Sequence, residues 1–337
     1  MKIALDALGG DFAPDQVVAG GVAAQRELGV EVIFVGPRDQ VERSLQAAGA
    51  GKWAVLEDAP EVIGMDEHAA QAVRAKRASS IVRGVQMVAD GRADAFVSAG
   101  NSGAVMAAAL FGLQRIHGID RPALITPLPT STGNNCYLLD VGANTDPRPE
   151  HLLQFALMGS LYAERVMGIP KPRVGLLSIG EEAEKGNQLV RDTEPLFRQS
   201  AALNFIGNVE GKDIFRGKAD VIVADAFSGN VLIKTAEGVA EFLFRSIRDA
   251  LKADPLSALG GILARPRLLA IRKRADWREF GGAPLLGVRG VVVVAHGRSD
   301  ALAIRSSILV AKDAVAQKIT ESIAGAAGST SVPSPLT

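Results

Sequence analysis

The chain has 337 residues, with 37 basic and 37 acidic side chains that cancel to a formal charge of zero at pH 7. That balance excludes a generally basic nucleic-acid coat and an acidic tail, so no nucleic-acid partner is expected, and 47% hydrophobic residues exclude extensive disorder. Aromatics reach only 5% while glycines number 36, a composition that favours tight strand-to-helix turns over aromatic-lined surfaces.

A single cysteine, Cys136, has no partner for an internal disulfide, and residues 1–6 carry Asp6 where a secretion signal would be apolar. Both features predict a cytoplasmic protein. No apolar run reaches 18 residues, since even 291–295 is bounded by Arg289 and His296, so no helix is expected to span a bilayer. Attachment to a membrane surface is compatible with this.

Short β-branched runs alternate along the chain with longer segments of helical period, the signature of parallel strands joined by crossover helices. Strands are predicted at 3–5, 32–35, 54–56, 95–98, 137–140, 174–178, 204–206, 221–224 and 291–295. Their apolar character calls for cover on both faces. Helices are predicted at 14–28, 38–48, 79–89, 102–116, 150–167, 188–199, 230–251 and 300–319, with Pro14, Ser102 and Asp300 as helix starts. The fold class is therefore α/β, a three-layer α/β/α sandwich with a mostly parallel sheet. No linker cuts the chain, so residues 1–324 are expected to form one large catalytic domain, and 325–337 a small, polar, disordered tail.

One segment, about 252–278, departs from the rest. Between 255 and 275 stand Arg265, Arg267, Arg272, Lys273 and Arg274 with no acid, mixed with Leu256, Leu259, Ile262, Leu263, Leu268, Leu269 and Ile271. Pro266 is expected to divide this cationic, apolar excursion into two short helices, because its ring clashes within a continuous one.

Five turns share one design, a strand ending in Gly, Asn, Ser or Asp just before a helix. They are Asp6–Asp11 with Gly9 and Gly10; Ser98–Gly103 with Asn101 and Ser102; Asp140–Asn144; Ser178–Asn187 with Lys185; and Asp225–Asn230 with Gly229. If all the strands run parallel, these turns gather on one sheet edge. Helix N-termini there would form an anion site, each worth about 0.3–1 kcal/mol to a nearby negative charge, which suggests a phosphate-bearing ligand. His296, at the end of run 291–295, falls on the same edge, and Lys185 and Lys234 are placed to neutralise a phosphate.

Other chemistries find little support. The run Gly49-Ala50-Gly51-Lys52-Trp53-Ala54 fits a dinucleotide glycine pattern but follows a helix and precedes a strand, the reverse of the required context. The pairs Gly51-Lys52, Gly211-Lys212 and Gly217-Lys218 lack the hydroxyl residue and upstream glycine of a P-loop. His68, His117, His151 and His296 are scattered, so no metal site is indicated. Cys136 enters an apolar strand as a buried, inert thiol.

At these residues the sequence resembles the bacterial PlsX phosphate acyltransferase family. The resemblance is carried by the opening Met1–Pro14, by Ser98–Ala104, by Asp140–Asn144, by Gly180-Glu181-Glu182 with Lys185-Gly186, and by Phe227–Val231 with Lys234. It continues through Phe280–Gly287 and His296-Gly297. It covers approximately residues 1–320 in order, with Leu8, Ser102 and Ala226 standing where the family usually has Met, Thr and Gly.

The resemblance implies a fold like that of phosphotransacetylases and isopropylmalate dehydrogenases. It implies the reaction of acyl-ACP (acyl carrier protein) with inorganic phosphate to give acyl phosphate and ACP, for phospholipid synthesis, with no cofactor and as a homodimer. Phosphate is already anionic and a thiol is a good leaving group, so neither a protein nucleophile nor a metal-bound hydroxide is needed. On this reading Lys185, Lys234, His296 and Asn230 are catalytic. Asp6, Gly9, Gly10, Asn101, Ser102, Gly103, Asn144, Asp225 and Gly229 bind phosphate or substrate. Arg265, Arg267, Leu268, Leu269, Arg272, Lys273 and Arg274 meet acidic ACP, the inner face of the cell membrane, or both, in a reversible contact. The competing readings are a phosphotransacetylase-like enzyme using acyl-CoA, and a noncatalytic membrane-surface organiser of lipid enzymes.

Overall fold

The computed structural model describes residues 1–274 and 276–329. In its first half run β1 (Lys2–Asp6), α1 (Asp15–Leu28), β2 (Glu31–Gly36), α2 (Arg38–Ala47), β3 (Val55–Asp58), α3 (Ala69–Ala75), α4 (Ser80–Ala89), β4 (Ala95–Ser98) and α5 (Ser102–Gly112). A hairpin of β5 (Ala123–Pro129) and β6 (Asn135–Leu139) leads to α6 (Pro149–Arg165), β7 (Arg173–Leu177), α7 (Gln188–Gln199), β8 (Asn204–Val209), α8 (Gly211–Arg216) and β9 (Val221–Val223). Two long helices, α9 (Ala226–Ala250) and α10 (Pro255–Arg274), precede α11 (Trp277–Phe280), β10 (Ala283–Leu286), β11 (Val291–Val294), α12 (Ala301–Ala316) and α13 (Ile319–Ser329).

The eleven strands of the described residues join one sheet in the order β3-β2-β1-β4-β11-β10-β5-β6-β9-β7-β8. Alternate side chains of each strand serve opposite faces. Ile3 and Leu5 of β1 pack with Val17, Val18 and Val22 of α1 and with Ile304 and Ile308 of α12, whereas Ala4 joins Ile81 and Val85 of α4 and Ala104 and Val105 of α5. The result is the three-layer α/β/α arrangement with a mostly parallel sheet.

The sheet corrects the expectation of a single functional edge. Strands β3, β2, β1, β4 and β11 are mutually parallel, and so are β6, β9, β7 and β8. Between them lie three antiparallel pairings, β11 with β10, β10 with β5 and β5 with β6. An odd number of reversals inverts the second half, so the carboxyl ends of the two halves face opposite edges. The turns at Gly9, Asn101 and His296 share one rim, and those at Asp140, Lys185 and Asp225 share the other.

The reversal depends on β5 and β10, the two strands that sequence patterning misses. β5 reads Ala-Leu-Ile-Thr-Pro-Leu-Pro, and its prolines argue against a strand because each lacks a ladder donor. Leu124 directs its N–H toward β6, onto Asp140 Oδ1 at 3.1 Å, so Pro127 and Pro129 alternate to the other side. There β10 pairs only with Ala123 and Leu124, and no donor is needed opposite the prolines.

Three further expectations are revised. α10 is one continuous helix with Pro266 inside it. It buries no residue, so the Ile262 carbonyl that the proline leaves without an N–H faces solvent rather than a packed interior. α9 begins at Ala226 rather than 230, because the Asp225 side chain caps it by accepting from the Ser228 N–H at 2.9 Å. α13 continues to Ser329, into the stretch expected to be disordered, while residues 330–337 lie outside the described residues.

Candidate active site

The first rim is built on a buried acid. Asp6 ends β1 and accepts from Ser98 Oγ of β4 at 2.7 Å and from the Leu8 N–H at 3.2 Å. Burial pushes its carboxyl up from the ordinary value, against the hydrogen bonds that pull it down. The acid therefore lies under the turn and organises it. Gly9 passes so close above that a Cβ on it would sit 2.5 Å from both Asp6 Oδ2 and the Gly100 nitrogen. The next turn of the rim is tied on by the Asp11 N–H, which donates to the Gly297 carbonyl at 2.8 Å.

Asn101 caps α5, its Oδ1 accepting from the Ala104 N–H at 3.0 Å. Its Nδ2 reaches back to the carbonyls of Gly64, Met65 and Glu67 at 3.1–3.2 Å. The side chain thus fastens the 64–67 loop beside the rim, and the first-turn N–H groups of Ser102 and Gly103 have no partner within the helix.

On the second rim Asp140 gathers donors in the same way. Its carboxylate accepts from the Leu124, Gly142, Ala143 and Asn144 N–H groups and from Asn144 Nδ2, all within 3.1 Å. Burial still pushes its carboxyl up. Asn144 also donates to the Pro122 carbonyl at 2.7 Å, and Asn230 Nδ2 donates to the Val141 carbonyl at 3.1 Å. Asp225, Gly229 and Asn230 therefore seat the start of α9 on this rim.

From that seat α9 crosses toward the first rim. One turn after Asn230, Lys234 places Nζ 3.0 Å from His296 Nε2, and 3.0 Å from Glu237 Oε2 on its own helix. His296 Nδ1 accepts from the Arg298 N–H at 3.1 Å, so the neutral ring carries its proton on Nε2. Nε2–H and the Lys234 ammonium are then two donors side by side; Glu237 accepts from Lys234, and among the described residues none accepts from both. Burial first, and Lys234 second, hold the imidazole below its ordinary value. An anionic oxygen bridging the two nitrogens would satisfy both.

Lys185 is exposed on the loop after β7, on the second rim, apart from the Lys234–His296 pair. Cys136 is buried and its thiol is pushed up to about 12, as befits a packed residue rather than a nucleophile. The basic excursion lies along α10. Arg265, Arg267, Leu269, Arg272, Lys273 and Arg274 are exposed and Leu268 is half-buried, and Arg274 ties the helix base to the Thr130 carbonyl at 3.2 Å. Sequence reading missed two neighbours of the pair, Glu237 and Trp277, whose ring centroid lies 5.0 Å from that of His296. A tryptophan three residues past the basic run, one of only two in the chain, was the available signal.

Comparison with known proteins agrees with this architecture. Residues 1–322 match the family described as "Fatty acid synthesis protein". The chain is 51% identical over 324 residues to a phosphate acyltransferase of Desulfitobacterium hafniense, and 52% identical over 325 residues to one of Heliobacterium modesticaldum, covering 96% of each chain in both cases. Among solved structures, a phosphotransacetylase from Streptococcus pyogenes superposes with a TM-score of 0.61 at 19% identity, over 94% of each chain. A 4-hydroxythreonine-4-phosphate dehydrogenase from Klebsiella pneumoniae superposes with a TM-score of 0.55 at 15% identity, over 94% of this chain and 98% of that one. These distant likenesses show a shared fold. Near 50% identity along almost the whole length shows more: this chain is an acyl-transferring enzyme and belongs to the phosphate acyltransferase family.

Proposed function

We propose that the enzyme takes its acyl group from acyl-ACP and that the transfer to phosphate occurs where α9 meets the first rim. The observation that carries this reading is the pair of donors, Lys234 Nζ and His296 Nε2, 3.0 Å apart and without a common acceptor among the described residues. The N–H groups of Ser102 and Gly103 at the start of α5, and the Gly9–Gly10 turn, supply further donors on the same rim. A phosphate oxygen attacks the thioester carbonyl carbon and the carbonyl electrons move onto oxygen. When the oxyanion collapses, the carbon–sulfur bond breaks and the thiolate leaves to take up a proton. Donors fixed in advance stabilise the oxyanion without rearranging, an effect worth about 3–4 kcal/mol for one donor. Asp6, Asn101, Asn144, Asp225, Gly229 and Asn230 serve by holding these elements in place, and Lys185 approaches substrate from the second rim.

The α9–α10 pair supports the expected contacts with partners. Among the described residues α9 fully buries only Ala226 and Gly229, and α10 none. Phe242, Leu256 and Leu263 are 67%, 79% and 75% exposed. The apolar face of α9 suits a second copy of the chain, as a homodimer. The basic, leucine-rich α10 suits acidic ACP and anionic lipid. No helix among the described residues is long and apolar enough to cross a membrane. The reading carries with it a cytoplasmic enzyme resting reversibly on the inner face of the cell membrane, with residues 1–324 as one catalytic unit on a continuous sheet.

Incubation with acyl-ACP and phosphate, trapping acyl phosphate with hydroxylamine, tests the assignment. Turnover with acyl-ACP that drops roughly 100-fold in K234M supports it. Turnover with acyl-CoA alone overturns the donor, and wild-type kinetics in K234M overturn the site.

A further inference from the structure

We propose that Trp277 is a positioning residue for His296: its indole, held by an Arg278 clamp between Asp276 and Asp300, keeps the imidazole turned with Nε2 toward Lys234. The proposal rests on the role given to His296 above.

The clamp is complete in itself. Asp276 caps α11 by accepting from the Arg278 N–H at 3.1 Å. The Arg278 guanidinium then forks onto the same carboxylate, Nε to Oδ1 at 2.9 Å and Nη2 to Oδ2 at 2.6 Å. Its remaining arm, Nη1, donates to Asp300 Oδ2 at 2.8 Å. The other oxygen of Asp300 caps α12 through the Ala303 N–H at 3.1 Å. Just beyond α11, Gly281 has φ +76° and lies directly on α12, where a Cβ would stand 2.7 Å from the Ser306 carbonyl. The four residues of α11 are thereby fixed to the element that follows the His296 turn.

Trp277, the first residue of α11, uses that fixation on the imidazole. The two rings have centroids 5.0 Å apart and planes inclined at 40°. Besides the indole, the His296 ring meets the Arg298 N–H at Nδ1 and Lys234 Nζ at Nε2, both along its edge, so the indole is the group that packs against its face. The charged groups facing it are Lys234 and Glu237 from α9, Arg298 from its own turn and Asp11 from the first rim. The indole is the uncharged wall of this enclosure, and acts by occupying space and keeping water off the ring. A purely structural duty is a poor account of it, because α11 contains no buried residue.

The experiment follows the His296 ring by NMR across pH in the full chain, beside the pH profile of acyl phosphate formation. In W277A the His296 midpoint should rise toward its ordinary 6.5, and turnover should fall by roughly 10–100-fold with little change in KM for phosphate. W277F should restore most of both. R278K, which cannot fork onto Asp276, should shift the midpoint in the same direction by less. If W277A does not fold, R278K carries the same readouts. A His296 midpoint and pH profile unchanged in W277A, or in R278K where W277A does not fold, overturn the proposal, even if activity falls. An H296Q enzyme with wild-type turnover instead overturns the role of His296, while the NMR midpoint still reports on Trp277.

Discussion

Gly229 of α9 presses against the main chain of Asp140 so tightly that a Cβ at this position would fall inside the Asp140 carbonyl oxygen. The helix that carries Lys234 is thus seated directly on the turn that ends β6, with the Asn230 side chain completing the seat on Val141. Any side chain at 229 must lift the first turn of α9 off the sheet.

G229A is therefore expected to destabilise the protein by about 1–3 kcal/mol or more, and to move Lys234 away from His296. The same change at Gly238, in the middle of α9, meets nothing within 4 Å. G238A should stabilise by about 0.5–1 kcal/mol through helix propensity. Urea unfolding midpoints of the two variants, shifted in opposite directions, check the pair.

The pH dependence of stability follows from His296. Its folded value lies below the ordinary 6.5, chiefly through burial and then through Lys234. The unfolded chain consequently binds the proton first as pH falls. The stability this group contributes is complete above about pH 6.5 and is lost on acidification toward the folded value. H296Q should flatten the fall in urea midpoint between pH 7.5 and 5.5. A residual slope of the same sign should persist, because burial and the adjacent Arg148 depress His151 as well.

Asn101 makes four hydrogen bonds with one amide, one to the start of α5 and three to the 64–67 loop. Loss of the cap alone is worth about 0.5–2 kcal/mol. N101A should lower stability by at least that amount and raise amide hydrogen exchange selectively at residues 64–67. N101D keeps the capping oxygen but not the donors, and should preserve α5 while still loosening the loop.

The electrostatic docking proposed for α10 separates residues by their place on it. Arg274 bonds the Thr130 carbonyl and Lys273 lies 3.8 Å from Glu279, so both also serve the base of the helix. Replacing the exposed Arg265, Arg267 and Arg272 with Ala should leave folding intact and weaken capture by anionic vesicles or ACP. The loss, at about 1 kcal/mol per charge, should be largest at low salt. Binding that is unchanged across ionic strengths removes α10 from the contact.

Much of the architecture is local and therefore legible in the chain. Apolar runs such as Val291–Val294 must be covered on both faces, and caps such as Asp300 and Asn187 begin their helices by satisfying first-turn N–H groups. From these alone follow the α/β class and the strand-to-helix corners at Gly9, Asn101 and His296. The direction of half the sheet is different. It turns on β5 and β10, which contain proline and acquire strand geometry only because neighbouring strands supply their partners. The meeting of Lys234 with His296 spans 62 residues, and depends on a helix that starts from one rim and reaches the other. Trp277 reaches His296 only because an arginine fork fixes a four-residue helix to α12. Periodicity and capping act over a few residues and are written in sequence order, whereas strand direction and side-chain encounters are set by packing between distant segments.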